Sequence, residues 1–158
     1  MRVISLFSGC GGMDFGFMQA GHKIVWANDV DPDCVETYRR NIGNHIVLGD
    51  IRYIDVKSIP NANVVIGGFP CQGFSMANMI READDDRNKL YKQFYRFIKI
   101  KRPEYFIAEN VRGILSLDNG NVIKKIVKDF SYAGYRVKYQ TFNIADFGIP
   151  QTRKRVII

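Results

Sequence analysis

The chain has only three cysteines in 158 residues, Cys10, Cys34 and Cys71, and none stands in a Cys-x-x-Cys pair. Its two histidines, His22 and His45, do not flank them at metal-ligand spacing, so no structural zinc centre is expected. Sparse, odd-numbered thiols argue against a disulfide scaffold and fit a reducing compartment, where a thiol stays available for chemistry. Long apolar runs are lacking too. Stretches such as Val64–Ile66 and Val156–Ile158 fall far short of the roughly 20 residues that span a bilayer. Met1 leads straight into Val3-Ile4-Ser5-Leu6-Phe7 with no cleavage site behind it, so no secretory leader is read and a cytoplasmic location is expected. Repeats and low-complexity tracts are missing as well.

What is present is ordinary for one globular domain with a real core: 46% hydrophobic and 25% charged residues. Residues 1–158 are therefore read as a single domain. Charge is uneven along it. Residues 1–85 hold 7 Lys/Arg against 10 Asp/Glu, a net −3, whereas residues 86–158 hold 16 against 6, a net +10. A basic half of this kind suits a polyanion such as nucleic acid, although a solvated basic face would look the same.

Short β-branched runs alternate with amphipathic stretches, the pattern of strand–helix repeats that build a parallel sheet. Strands are expected near residues 2–6, 23–28, 45–49, 63–67, 104–108, 135–143 and 154–158, and helices near 13–20, 32–41, 87–101 and 119–132. The last two strands lie close in sequence, which favours an antiparallel pair at a sheet edge. The fold class is thus α/β, Rossmann-like and mostly parallel. One long connection, residues 68–86, reads as a functional loop rather than a linker. The final Arg155-Val156-Ile157-Ile158 reads as a strand cut off midway, which suggests a larger fold that has been split or truncated.

Three features carry chemistry. The segment Leu6-Phe7-Ser8-Gly9-Cys10-Gly11-Gly12-Met13-Asp14 follows the first strand and opens a helix, and its glycines permit a tight turn and close backbone approach to a ligand. Its spacing departs from Gly-x-Gly-x-x-Gly, which disfavours a dinucleotide. The second and third strands end in Asp29 and Asp50. Two acidic tips beside a glycine loop suit a nucleoside without phosphates, since a carboxylate accepts hydrogen bonds from ribose hydroxyls or an adenine amino group and repels phosphate. Either Asp taken alone would also serve as a helix N-cap. The fourth strand delivers Phe69-Pro70-Cys71-Gln72-Gly73-Phe74-Ser75.

At this point the chain resembles the DNA cytosine carbon-5 methyltransferases along its whole length. Four short motifs occur in that family's order: Phe7-Ser8-Gly9-Cys10-Gly11-Gly12, Pro70-Cys71-Gln72, Glu109-Asn110-Val111 and Gln151-Thr152-Arg153-Lys154-Arg155. The resemblance implies an S-adenosylmethionine-dependent methyltransferase fold and a reaction that matches the residues. Carbon 5 of cytosine is a poor nucleophile, so a thiolate, here Cys71, first adds at carbon 6. An unperturbed thiol with a pKa of about 8.5 is only slightly ionised at neutral pH, so a cation beside it helps. The resemblance gives that place to Arg155, with Arg153 in the same motif. It implies that Glu109, which follows the fifth strand, donates a proton to ring nitrogen 3 and accepts from the exocyclic amine. Phe69 and Pro70 would wall the base pocket and Val111 would line its Glu109 side. Such a pocket requires the base to be flipped out of the duplex.

For the cofactor, the resemblance implies S-adenosylmethionine contacts from Phe7, Gly9, Cys10, Gly11 and Gly12 on the loop. Further contacts are implied at the strand tips, from Asp29, Val30, Asp50 and Ile51, and from Pro70. Val30 stands where many relatives carry an aromatic, so stacking on adenine would be replaced by apolar contact. Asp85-Asp86-Arg87-Asn88-Lys89-Leu90 resembles a weaker motif in which Leu90 touches the cofactor, a residue that core packing would place equally well. Gln72, Ser75 and Arg81 would approach double-stranded DNA. No metal is implied. Family members are about twice as long, with a target-recognition domain and a closing segment after the Gln151–Arg155 motif, so the chain is expected to need a second polypeptide or a missing C-terminal part. Such enzymes commonly belong to restriction-modification systems. Two alternatives are a non-catalytic cofactor- or DNA-binding regulatory module of the same fold, and methylation of transfer RNA.

Overall fold

The computed structural model describes residues 1–70 and 90–158. In chain order it runs β1 (Arg2–Leu6), α1 (Gly12–Gln19), β2 (Lys23–Asp29), α2 (Pro32–Asn41), β3 (Ile46–Leu48), β4 (Val64–Gly67), α3 (Leu90–Lys101), β5 (Tyr105–Val111), α4 (Asn121–Tyr132), β6 (Gln140–Asn143) and β7 (Lys154–Ile157). The strands form a seven-stranded sheet in the order β3-β2-β1-β4-β5-β7-β6. Pairs β1–β2, β1–β4 and β2–β3 are parallel, and β7 is antiparallel to both β5 and β6. The fold is α/β, mostly parallel with an antiparallel edge pair, as the alternating pattern predicts.

The chain forms two compact units, Met1–Gly68 with Arg96–Ile107, and Phe69–Tyr95 with Ala108–Ile158. In the first, Val3, Ile24, Ala27, Val35, Tyr38, Ile46, Val64 and Ile66 make a buried core against which Met13, Phe17 and Ile42 pack. Continuous burial of β4 and nearly all of β1 is what a central parallel strand, covered on both faces, requires. The start of α2 is specified locally. Asp31 accepts from the N–H groups of Asp33 (2.8 Å) and Cys34 (3.1 Å), and Pro32 opens the helix with its φ already set. Burial of each large apolar side chain in this core is worth about 1.5–3 kcal/mol.

The core of the second unit is aromatic. Phe69 packs against Phe94 (ring centroids 6.0 Å apart) and Tyr91 (6.4 Å), and Phe94 against Phe130 (5.8 Å). Helix α4 supplies Val122, Ile123, Ile126 and Phe130, the spacing of one buried helical face. The Tyr91 hydroxyl donates to Asp129 (3.0 Å), and burial pushes its pKa above the usual phenol range.

Three element boundaries differ from those expected by more than one residue. Strand β5 extends to Val111 rather than ending at 108, because β7 pairs with its last residues, Glu109 with Ile157 and Val111 with Arg155. Strand β6 covers only 140–143 of the expected 135–143; its partner β7 is four residues long and offers no ladder beyond Ile157. Helix α4 starts at Asn121, since Asp118 and Asn119 hold φ values of 49° and 51°, which no α-helix accommodates. The expected helix start at 87–89 lies outside the described residues. The last strand is paired on both sides, and Ile158 exchanges both backbone bonds with Ala108 (2.9 and 3.0 Å).

Candidate active site

The glycine loop joins β1 to α1 with Gly9 at φ 54° and Gly11 at φ 88°, and Phe7 also lies at positive φ, 54°. The two glycines answer different demands. A Cβ on Gly11 would fall 2.1 Å from Ile42 Cδ1 and 2.8 Å from the Tyr38 ring, so Gly11 is required by the packing of α2. Around Gly9 and Gly12 no atom lies within 4 Å of such a Cβ. These are the positions where backbone is bare to an incoming molecule.

Asp29, at the tip of β2, ties the loop down. Its Oδ2 accepts from Gly9 N–H (2.7 Å) and its Oδ1 from Asp31 N–H (3.0 Å). The N-cap role falls to Asp31 instead, and Asp29 stays half-buried with lone pairs to spare, since each carboxylate oxygen accepts more than one bond. Val30 beside it is 66% exposed. Asn28, fully buried, donates from Nδ2 to the carbonyls of Val47 and Gly49 (both 2.9 Å) and so fixes the β2 tip against the β3 tip. Asp50 caps the short turn Ile51–Tyr53 and pairs with Arg52 (2.6 Å), whose guanidinium holds its carboxyl below the usual carboxylate range. Ile51 is buried beneath that turn.

Below the loop lies a polar network that the sequence reading did not anticipate. Asp14, completely buried, accepts from Ser5 Oγ (2.6 Å) and from the Tyr38 hydroxyl (2.7 Å), and Ser8 Oγ donates to Ser5 Oγ (2.9 Å). Tyr38 spends its proton on Asp14, so His45 Nε2, 3.0 Å away, must be the donor to Tyr38. Desolvation raises the Asp14 pKa and lowers that of His45. The signal was a lone acid in the otherwise apolar and glycine-rich Gly12–Gln19.

In the second unit, the β5–β7 register brings two of the expected residues together. Arg155 lies opposite Val111, and Glu109 stands two residues further along the same face, the diagonal that long side chains reach. Arg155 Nε and Glu109 Oε1 are 2.7 Å apart, both side chains about a quarter exposed. Glu109 thus sits inside β5, not after it. Val111, at the same face, is 38% exposed. Arg153 is exposed and takes no part in this pair; its backbone N–H donates to Asn143 Oδ1 (3.1 Å). Asn110, 3% exposed, donates to the Phe69 carbonyl (2.8 Å) and accepts from Val111 N–H (2.9 Å). It anchors the backbone two residues ahead of Cys71, a role sequence reading missed because its neighbours carry the recognisable chemistry. Phe69 itself is 2% exposed, with its ring spent in the aromatic core; Pro70 is exposed and Leu90, half-buried, opens α3. Cys71, Gln72, Ser75 and Arg81 lie outside the described residues. Among the described residues no group of three or more His, Cys, Asp or Glu could hold a metal ion, and no helix is long and apolar enough to cross a membrane.

A mostly parallel sheet whose first unit carries a glycine loop after β1, and whose second unit carries a carboxylate–guanidinium pair on neighbouring strands, defines an α/β protein. The match is specific: the family model for C-5 cytosine-specific DNA methylase covers residues 1–158, and the chain belongs to that family. It is 46% identical over 159 residues to the type II methyltransferase M.NgoFVII of Neisseria gonorrhoeae, covering 99% of this chain and 42% of that protein. With M.BspRI of Lysinibacillus sphaericus the identity is 41%, over 99% of this chain and 43% of that one. A crystal structure of a prophage-encoded DNA modification methyltransferase of E. coli superposes with a TM-score of 0.83 at 32% identity, over 99% of this chain and 45% of its own. The chain spans about half the length of the curated relatives it matches.

Proposed function

We propose that residues 1–158 form the catalytic and cofactor-binding domain of an enzyme that methylates carbon 5 of cytosine in a specific double-stranded DNA sequence, in the manner of the type II modification methyltransferases it resembles. The observation that carries this reading is the Glu109–Arg155 pair on one sheet face, next to a Val111 that remains open. Cys71 adds to carbon 6 of the flipped base as a thiolate. Glu109 holds the base edge: its Oε1 keeps Arg155, and Oε2 is the atom assigned to the ring nitrogen and amine. That contact withdraws electrons from the ring as the thiolate adds. Asn110, through the Phe69 carbonyl, fixes the backbone that leads to Cys71.

S-adenosylmethionine supplies the methyl group as a sulfonium electrophile when bound. The loop fits such a group: bare backbone at Gly9 and Gly12 admits it, and Asp29 offers a half-buried acceptor for ribose hydroxyls. Phe7, Cys10, Gly11, Val30, Asp50, Ile51, Pro70 and Leu90 complete the assigned contacts, with Asp50 reaching adenine only when its bond to Arg52 opens. Arg153 is assigned with Arg155 to the catalytic motif, and Gln72, Ser75 and Arg81 are assigned to DNA. A further polypeptide or C-terminal part carries target recognition, and the cytoplasm is the site of action.

The test is transfer of labelled methyl from S-adenosylmethionine to DNA by the chain combined with a C-terminal part from a relative. Transfer should require both parts, and Glu109→Gln should lower the rate on the order of 10²–10⁴-fold, the usual worth of a positioned acid. An unchanged rate in Glu109→Gln, or full activity of the chain alone, would contradict the proposal.

A further inference from the structure

Cys10 sits on the glycine loop and Cys34 in the first turn of α2, 24 residues apart in sequence, yet their sulfurs are 3.7 Å from each other. Both are free thiols. A disulfide bond is about 2.05 Å long, so closing the pair needs a movement of only about 1.6 Å, within reach of a side-chain rotation and a small shift of the loop. Cys10 is exposed and is flanked on both sides by glycines at positive φ, which leaves the loop tip open to a small reagent. The backbone at both sulfurs is held: Cys34 N–H donates to the N-cap Asp31 (3.1 Å), and Gly9 N–H, next to Cys10, donates to Asp29 (2.7 Å).

We propose that Cys10 and Cys34 are a dithiol modification site: a small disulfide, of the glutathione disulfide class, oxidises them to an intramolecular disulfide that fastens the glycine loop to α2 and shuts off the cofactor. The last clause rests on the cofactor reading above. The Cys10 thiolate attacks one sulfur of the small disulfide and expels a thiolate. Cys34 then attacks the Cys10 sulfur of the mixed disulfide, giving its proton to the second departing thiolate. Two protein thiols lose two electrons and two protons, and the small disulfide is reduced to two thiols. The order of attack follows from the surroundings. Burial, with Cys10 close by, pushes the Cys34 thiol up to about 11, so the exposed partner reacts first. Once the bond forms, Cys10, one of the residues assigned to the cofactor, is spent on Cys34, and the loop tip is drawn about 1.6 Å toward α2 and held there.

The experiment incubates the purified chain and its Cys34→Ser variant with glutathione disulfide, maps cross-linked peptides by mass spectrometry, and measures S-adenosylhomocysteine affinity before and after, then again after dithiothreitol. The expected result is a Cys10–Cys34 cross-link and at least a tenfold loss of affinity that dithiothreitol reverses in the chain, and in Cys34→Ser a glutathione adduct held at Cys10 in place of the cross-link. No such cross-link, or a cross-link with unchanged affinity, overturns the proposal. If neither the reduced nor the oxidised chain binds S-adenosylhomocysteine, the cofactor reading falls and takes the gating with it, while the peptide map still reports separately on the dithiol.

Discussion

Removing one oxygen beneath the glycine loop should be felt both in stability and in its pH dependence. Tyr38 is completely buried, and its hydroxyl donates to the buried Asp14 carboxylate at 2.7 Å and receives His45 Nε2 at 3.0 Å. Tyr38→Phe keeps the ring, so the packing around Gly11 is retained and only hydrogen bonding is lost. A bond to a charged acceptor is worth about 1.5–3 kcal/mol, and a stranded His45 donor adds to that, so a loss of about 2–3 kcal/mol is expected. For a chain of this length that lowers the melting temperature by roughly 4–10 °C. The pH dependence has a definite sign. Desolvation raises the folded pKa of Asp14 above its ordinary 3.8, so the stability linked to this group is full below that value and lost as the pH rises through the folded pKa. The Tyr38 bond opposes the shift, and deleting it raises the pKa further. The variant should therefore be most impaired at neutral and alkaline pH and recover as acid protonates Asp14. Urea midpoints for both proteins across the range from pH 5 to pH 8 read this directly, with about equal m-values expected. A loss below about 0.5 kcal/mol, or one that grows on acidification, would refute the assignment of the network.

The two loop glycines separate packing from ligand access. Gly11→Ala forces a methyl into Ile42 and Tyr38 and should cost about 2 kcal/mol or more in thermal unfolding, whereas Gly9→Ala meets no atom and should cost about 1 kcal/mol from its positive φ alone. On the cofactor reading the ranking reverses for S-adenosylhomocysteine binding per unit of stability lost, which calorimetry on both variants would check. Arg52→Ala removes a partly exposed pair, so its cost should stay within about 1 kcal/mol. Because Arg52 holds the Asp50 pKa down, that stability is present above the unfolded carboxylate pKa and is lost as the pH falls through the lower folded one; denaturation at neutral and strongly acid pH would show the difference vanish. Asn110→Ala strands the Phe69 carbonyl and should cost about 1–3 kcal/mol while lowering methyl transfer out of proportion to the folded fraction.

What the sequence showed plainly was whatever depends on near neighbours. Alternation placed all seven strands, the helix expected near 32–41 matches α2, and the glycine loop, Glu109 and Arg155 were singled out by type and order. Long-range pairing was less legible. Strand β5 extends through Glu109 to Val111 because a partner 44 to 48 positions downstream runs beside it, and β6 is short because that same partner ends. No local pattern distinguishes Gly11, which makes room for α2, from Gly9, which faces open space. Asp14, Asn110 and the Cys10–Cys34 approach likewise arise from chain crossings, where a polar residue finds its partner only once the fold is made.

The central claim is that Cys71 forms a covalent bond with cytosine in DNA, and trapping tests it most directly. The chain, joined with a C-terminal part that supplies target recognition, is mixed with S-adenosylmethionine and duplex DNA carrying 5-fluorocytosine at the target, and the products are resolved under denaturing conditions. The account predicts a stable protein–DNA adduct that maps to Cys71 and disappears in Cys71→Ser. An adduct that persists in Cys71→Ser, or methylation of ordinary target DNA without any trapped species, would contradict it.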